Sequence, residues 1–231
     1  MAEYTLTDIA VARISRRDST GAIDYENAEG AVYIGGAQEL TWDDEIEQGE
    51  EFLEKTGNNT IGYYDREDDL VKYSSGQLVL TRASWAMYDV MEVGEIITVP
   101  GDGDVGIRAK GGVSCGASTA GRRSGSVLEA WGRLKECSVA GSGTDTIFRA
   151  IFPLCRWTRG SNRMGRGPSL PTFNFTALPG KVGLGPFLDL PPQLDFPTDI
   201  DPYPWALMVD PDNAIPTIPV GDYAALPVYA S

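Results

Sequence analysis

Residues 70–83 read LVKYSSGQLVLTRA, and from Gln77 onward polar and apolar side chains alternate. Successive side chains of a strand point to opposite faces of a sheet, so the alternation predicts a β-strand with one buried and one wet face. Short runs of β-branched and aromatic residues, separated by Gly, Asn, Asp and Ser clusters, recur at residues 31–42, 60–64, 95–100, 126–136, 145–157 and 171–178. This pattern predicts a mainly β fold, either a β-sandwich or a barrel.

One flanking α-helix is expected at residues 84–94, SWAMYDVMEVG. Ser84 is a suitable N-cap, and Gly94 is placed to end the helix. Trp85, Tyr88 and either Met91 or Glu92 would then share one face.

The most unusual local feature is an acidic run with two competing structures. Thr41 and Asp44 resemble a capping box, and Gly57 is placed to end a helix. Gly49 and the density of like charge oppose a helix, which favours an extended acidic hairpin or loop. The run is either a solvated sheet edge or, in a closed ring of subunits, a negative wall that repels nucleic acid. Its carboxylates are Asp43, Asp44, Glu45, Glu47, Glu50, Glu51 and Glu54.

Composition excludes several classes of chemistry. The 231 residues include 19 Lys and Arg, 33 Asp and Glu and no His, for a net charge of −14. Without His there is no Ser-His-Asp triad, Cys-His dyad or imidazole metal ligand. The negative charge argues against nonspecific duplex binding. The longest apolar runs fall well short of a membrane span, and we expect no secretory signal. The three widely spaced cysteines are expected to be free, mostly buried thiols.

Charge is distributed in blocks along the chain. Residues 1–107 hold 7 basic and 23 acidic side chains, residues 108–166 hold 11 basic and 3 acidic, and residues 167–231 hold 1 basic and 7 acidic. Opposite patches suit a protein that meets copies of itself, although blocks in sequence need not be patches in space. The long Gly- and Ser-rich segment 101–126 is a candidate subunit-interface loop, with cations at Arg108, Lys110, Arg122 and Arg123.

The C-terminal region differs from the rest in its proline content. Ten of the 15 prolines lie in residues 186–231, among Leu, Phe, Tyr, Ile and Trp side chains. Proline excludes long helices and central strands, yet the fraction of apolar residues is too high for a solvated linker. We therefore expect three regions: an N-terminal extension at 1–30, a β-sandwich core at 31–182, and an extended Pro-rich arm at 183–231 that lies across its own or a neighbour's surface.

Five stretches resemble a known family in their order along the chain. They begin with GGAQELTWDDEIEQGEEFLEKTGNN and SSGQLVLTRASWAMYDVM, and continue with SVLEAWGRLKE, IFRAIFPLCRW and TALPGKVGLGPFLDLP. Together they are similar to major tail tube proteins of long, non-contractile (siphovirus-type) phage tails, particularly of phages that infect actinobacteria. The resemblance covers residues 30–210, and the tail after residue 183 has no residue-level match.

The resemblance implies a structural virion protein that is not an enzyme and needs no cofactor. Six subunits would form a ring lined by a continuous β-barrel, and the rings would stack into a tube whose acidic lumen passes DNA during genome ejection. Expected partners are other copies, further tail proteins at the tube ends and DNA in transit, with no membrane. The protein would assemble in the host bacterial cytoplasm and reside in the virion tail. The acidic run would lie in the lumen or between rings, and the Pro-rich tail would bridge subunits.

Two alternatives remain at this point. One is a different virion ring, a tail terminator or a head–tail joining protein. The other is a carboxylate-dependent hydrolase, which requires two acids in one concave pocket.

Overall fold

The computed structural model describes residues 4–18, 23–24, 27–49, 51–55, 61–66, 68–97, 112–114, 125–136, 146–160, 170–179, 204–210, 214–219, 223–224 and 226. Within these ranges the chain forms strands and one short helix, α1. The elements are β1 (Tyr4–Arg16), β2 (Ala31–Ile34), β3 (Ala37–Glu47), β4 (Glu51–Lys55), β5 (Ile61–Arg66), β6 (Leu70–Leu80), α1 (Trp85–Val90), β7 (Glu95–Ile97), β8 (Gly112–Ser114), β9 (Ser126–Glu136), β10 (Thr146–Arg159), β11 (Thr172–Ala177) and β12 (Ala206–Val209).

Eight of the strands form one antiparallel sheet. Its order is β2-β1-β9-β10-β11-β6-β3, and β12 pairs with β10 beside this path. The pairs β4–β5 and β7–β8 form two separate hairpins. The prediction of a mainly β protein with one helix is confirmed, and the sheet is open rather than closed into a barrel.

The sheet changes direction within β10, at Pro153. Residues before it pair with β9 and β12, whereas Cys155–Arg159 pair with β11, and the β9 register shifts between Phe152 and Cys155. The shift also changes which side chains face inward, because Phe148, Ala150 and Phe152 face the main core from the first half, but Cys155 and Trp157 do so from the second. Proline lacks an amide donor and suits a break of this kind.

Two layers result, and a single main core lies between them. We name β2-β1-β9 and the first half of β10 the first layer, and the second half of β10 with β11, β6 and β3 the second layer. Edge-to-face ring contacts link the layers: Phe152 lies 5.4 Å from Trp42 and 5.2 Å from Phe175, between ring centroids. Gly76 of β6 lies directly against the Phe175 ring, where a larger residue would clash.

Helix α1 closes part of this core. Its buried side chains are Ala86, Met87 and Val90, followed by Met91, while Tyr88 is half-buried. Ser84 is the N-cap, as predicted, but makes no side-chain capping hydrogen bond.

The helix also ends earlier than the expected Gly94. The amide of Glu92 donates to the Asp89 carbonyl and that of Val93 to the Tyr88 carbonyl, the Schellman arrangement. Glu92 supplies the required left-handed residue with φ of 56°. Glycine is therefore not needed to end this helix.

Both ends of the chain take part in the sheet. The expected N-terminal extension 1–30 includes β1, which lies in the sheet between β2 and β9. The described part of the C-terminal arm lies across the chain's own surface: β12 extends the sheet at β10, and Ala224 forms a bridge to Ala31. The arm therefore contributes to the folded body of this chain.

Candidate assembly surfaces

The second layer ends at a free strand edge. Strand β3 pairs with β6 along its length, and no other described strand pairs with it. The same two strands extend beyond β11, which pairs only with Ser74–Val79 of β6. They form a projecting antiparallel ribbon, which agrees with the extended interpretation of the acidic run and excludes a helix over 41–47.

The tip of this ribbon exposes apolar side chains. Ile46 is 55% exposed, Leu70 68% and Val71 40%, and Ile46 is the register partner of Val71. Exposed aliphatic groups beside an unpaired strand edge are a template for pairing with another chain. The ribbon is therefore a candidate self-association surface.

The outward side of the second layer is a wet face, which we call the polar face. The residues of this face come from four strands. They are register partners on neighbouring strands or stand two positions apart on the same strand. Nearly all are polar, and the Gln77 Nε2 donates to Asn174 Oδ1 at 3.0 Å. Its members are Glu39, Thr41, Asp43, Glu45, Tyr73, Ser75, Gln77, Val79, Arg156, Thr158, Thr172, Asn174 and Thr176. With three carboxylates and one guanidinium, the face is weakly acidic.

Strand geometry divides the acidic run into separate groups. Asp43 and Glu45 lie on the polar face, whereas Asp44 points to the opposite side and accepts hydrogen bonds from Ser74 Oγ and, at 2.8 Å, from Trp205 Nε1. Glu47 lies near the ribbon tip, 3.2 Å from Lys72 Nζ.

The remaining predicted site residues lie on β4 or outside the described residues. Glu51 is exposed on β4, and Glu54 lies on the same strand. Glu50, Arg108, Lys110, Arg122 and Arg123 lie outside the described residues, so the interface-loop hypothesis stays a prediction.

Sequence reasoning missed a buried ionic cluster in the first layer. The side chains of Arg13 on β1, Glu129 on β9 and Arg149 on β10 are at most 2% exposed. Arg13 Nε donates to Glu129 Oε2 at 2.6 Å, and Arg149 Nε donates to Glu129 Oε1 at 3.0 Å. One carboxylate thus lies between two guanidinium groups, in hydrogen bonds of the strong, charge-assisted kind.

An aromatic residue completes this cluster. Both guanidinium groups lie over the Trp131 ring, at 5.2 Å for Arg13 and 4.9 Å for Arg149. The Trp131 Nε1–H donates to Asp210 Oδ2 at 2.9 Å, and Asp210, from the C-terminal arm, is itself buried. The arm therefore supplies a buried carboxylate that holds the Trp131 ring of this cluster in place. The sequence signal for the cluster is a charged residue with an apolar residue on each side, once in each of the three strands.

Two further hydrogen bonds of the same kind hold the arm. Trp205 Nε1 donates to Asp44 on β3, and Tyr223 Oη donates to Asp89 Oδ2 on α1 at 2.8 Å. Asp89 also forms an ion pair with Arg16. In each of the three contacts an aromatic N–H or O–H donates to an aspartate, so the arm is positioned by specific polar contacts.

Burial and the hydrogen bond to Asp89 raise the pKa of Tyr223. The charge of Asp89 acts in the same direction, Arg16 opposes it, and Glu29 adds to it. A raised folded pKa means that the unfolded chain ionises first, near pH 10. The stabilisation from Tyr223 is thus complete below about pH 10 and is lost as the pH rises towards the folded value.

Replacing Tyr223 by Phe is accordingly expected to destabilise the protein at pH 8 and to have less effect at pH 11. Urea unfolding of both proteins at the two pH values measures the difference. At pH 8 the loss should be about 1.5–3 kcal/mol, the range for one hydrogen bond to a charged group. An equal difference at both pH values would contradict the assigned contact.

The described residues also enclose a pocket of about 350 Å³ between β2, the start of α1 and the arm. Arg82 is the one charged side chain in its lining, so this pocket lacks the paired carboxylates that the hydrolase alternative requires. No group of three or more candidate metal ligands occurs among the residues that the structure describes. The described helix is too short to cross a bilayer.

No protein-family model matches the chain, and no curated protein matches it either.

Proposed function

We propose that this chain is the repeating subunit of a phage tail tube, a non-enzymatic protein that forms rings which stack around a channel for DNA. The observation that carries the proposal is the open sheet, which among the described strands ends at β3, beside an exposed apolar tip. Pairing of such an edge with a strand of the next copy satisfies its backbone groups. A heterologous contact of this kind, repeated about an axis, generates closed rings or filaments.

The asymmetry of the two layers supports one orientation in the ring. The first layer is buried on both sides in its central part, because residues 11–15 of β1, 126–132 of β9 and 147–153 of β10 are all buried. The second layer has the polar face, which is rich in neutral hydroxyl and amide groups and weakly acidic. In this proposal the polar face lines the channel, since a surface with few cations does not retain a passing polyanion.

Electron microscopy of the purified protein tests the proposal directly. We expect negatively stained rings or tubes with a central channel. A species that stays monomeric at every concentration and salt, also with tail-tip components added, would exclude a tube subunit. Band intensity in purified particles separates a tube protein, with many stacked rings, from a terminator, with about one ring.

The triple substitution Glu39→Lys, Asp43→Lys and Glu45→Lys tests the orientation. If the polar face lines the channel, tubes should still assemble, and DNA should leave variant particles more slowly because the wall now attracts phosphate. Microscopy and the rate of DNA release measure the two effects. Glu51→Lys, at an exposed carboxylate off this face, is the matched control. If the triple variant blocks tube growth while the control does not, the face lies between subunits or rings.

A further inference from the structure

The pocket between β2, the start of α1 and the arm has the dimensions of a small-molecule site. Its volume of about 350 Å³ lies within the range of ligand pockets in proteins. Its lining is mostly apolar, with Val32 and Ile34 from β2, Met87 from α1, and Ile218 and Pro219 from the arm. Such a lining favours a ligand with an apolar body, because the body leaves water on binding.

The frame of this pocket is fixed by contacts within the chain. Thr81 donates two hydrogen bonds to the Gly36 carbonyl, from its amide at 2.9 Å and from its hydroxyl at 3.1 Å. They tie the segment before α1 to the turn between β2 and β3. The Ile218 side chain packs directly against Gly35, where any Cβ would clash, and this contact positions the arm. A preformed pocket loses little conformational entropy when a ligand enters.

Two polar side chains in the lining are left unused by the described part of the fold. Arg82 and Ser84 stand two positions apart in the segment before α1, and both line the pocket. Arg82 is exposed and forms no ion pair or hydrogen bond with any residue that the structure describes. Ser84 occupies the N-cap position, but its hydroxyl does not cap the helix. A guanidinium and a hydroxyl beside an apolar cavity are suitable donors for one carboxylate group.

The charge of the pocket favours a ligand with a single negative charge. Arg82 is the one charged side chain among the described lining residues, so it balances one negative charge. The chain has a net charge of −14, and its long-range field repels ligands that carry several negative charges. A phosphate monoester would bring nearly two charges to a single guanidinium. A monocarboxylate matches the pocket in both respects.

We propose that this pocket binds a small aliphatic monocarboxylate, whose chain fills the apolar cavity and whose carboxylate accepts hydrogen bonds from Arg82 and Ser84. The bound chain contacts both the sheet and the arm, because Ile218 and Pro219 belong to the same lining. A ligand that binds only the folded protein stabilises it by mass action, so the ligand strengthens the docking of the arm. The inference does not depend on self-association, since every residue of the site belongs to one chain.

Titration calorimetry of the full chain with octanoate, below the concentration at which octanoate forms micelles, tests the site. Octanamide is the matched ligand, because it keeps the chain and removes the charge. We expect saturable binding of octanoate, and binding at least about tenfold weaker in Arg82→Gln, which loses a charge-assisted hydrogen bond. Octanamide should not distinguish the two proteins. The control Arg156→Gln, which removes an exposed guanidinium from the polar face, should bind octanoate like wild type.

Nuclear magnetic resonance of isotope-labelled methionine methyl groups locates the ligand. Met87 lines the pocket, whereas Met208 packs against a separate small core that includes Val127 and Ile151. Octanoate should shift the Met87 signal and leave the Met208 signal in place.

Three results would overturn the site: no saturable binding at millimolar octanoate, equal affinity of wild type and Arg82→Gln, or a shift of the Met208 signal without one at Met87. Arg82 is exposed, so the variant is expected to fold, and urea unfolding checks this. None of these results bears on ring formation, which electron microscopy measures separately.

Discussion

Glu129→Gln is expected to lower the free energy of unfolding by about 3–5 kcal/mol, the cost of removing one partner from a buried ion pair. The amide keeps the volume of the carboxylate, so the change is electrostatic. It leaves the guanidinium groups of Arg13 and Arg149 buried around Trp131 with one anion fewer. Urea or guanidinium denaturation followed by tryptophan fluorescence measures the loss.

Glu47→Gln is the matched control for this variant. Glu47 forms an ion pair with Lys72 at the protein surface, and both side chains are more than half exposed. Exposed pairs contribute less than about 1 kcal/mol, so the control should be close to wild type. Equal effects of the two substitutions would show that the cluster in the first layer is not the stabilising element described above.

Phe152→Ala is the other substitution with a large expected effect, again about 3–5 kcal/mol. Phe152 is the last residue before the break at Pro153. It is fully buried, and its ring contacts those of Trp42 and Phe175 in the second layer. Its removal leaves a cavity at the point where the two layers join, and neighbouring rings cannot collapse into it without moving a strand.

The same denaturation experiment measures this loss. Leu170→Ala, at a 40% exposed position outside the core, is its control and should cost much less. If Phe152→Ala were tolerated as well as Leu170→Ala, the two layers would not pack through this residue.

Most strands of the sheet could be predicted from the local sequence pattern. The runs at residues 126–136 and 171–178 correspond closely to β9 and β11, because short β-branched and aromatic segments between turn residues have few other options. Strand β1 was missed although residues 9–15, IAVARIS, are mostly apolar, because they include Arg13, a charge that pattern alone assigns to solvent and that the structure buries.

The candidate surfaces were harder to predict from the sequence than the strands. Asp43 and Asp44 are adjacent in sequence and equal in chemistry, yet only Asp43 shares the polar face, because a strand sends neighbouring side chains to opposite sides. The helix end was misplaced for a related reason: Glu92 adopts a left-handed conformation that composition assigns to Gly94.

By itself the sequence determined the class of fold, the excess of negative charge, the absence of histidine chemistry and the unusual C-terminal arm, since each depends on local pattern or composition. Only the tertiary structure decided the order of the described strands, the place of β3 at the end of that order, the side of the sheet that stays wet and the burial of Arg13, Glu129 and Arg149. These depend on pairings between residues far apart in the chain, and the energy of such a pairing is set by the partner rather than by either residue alone.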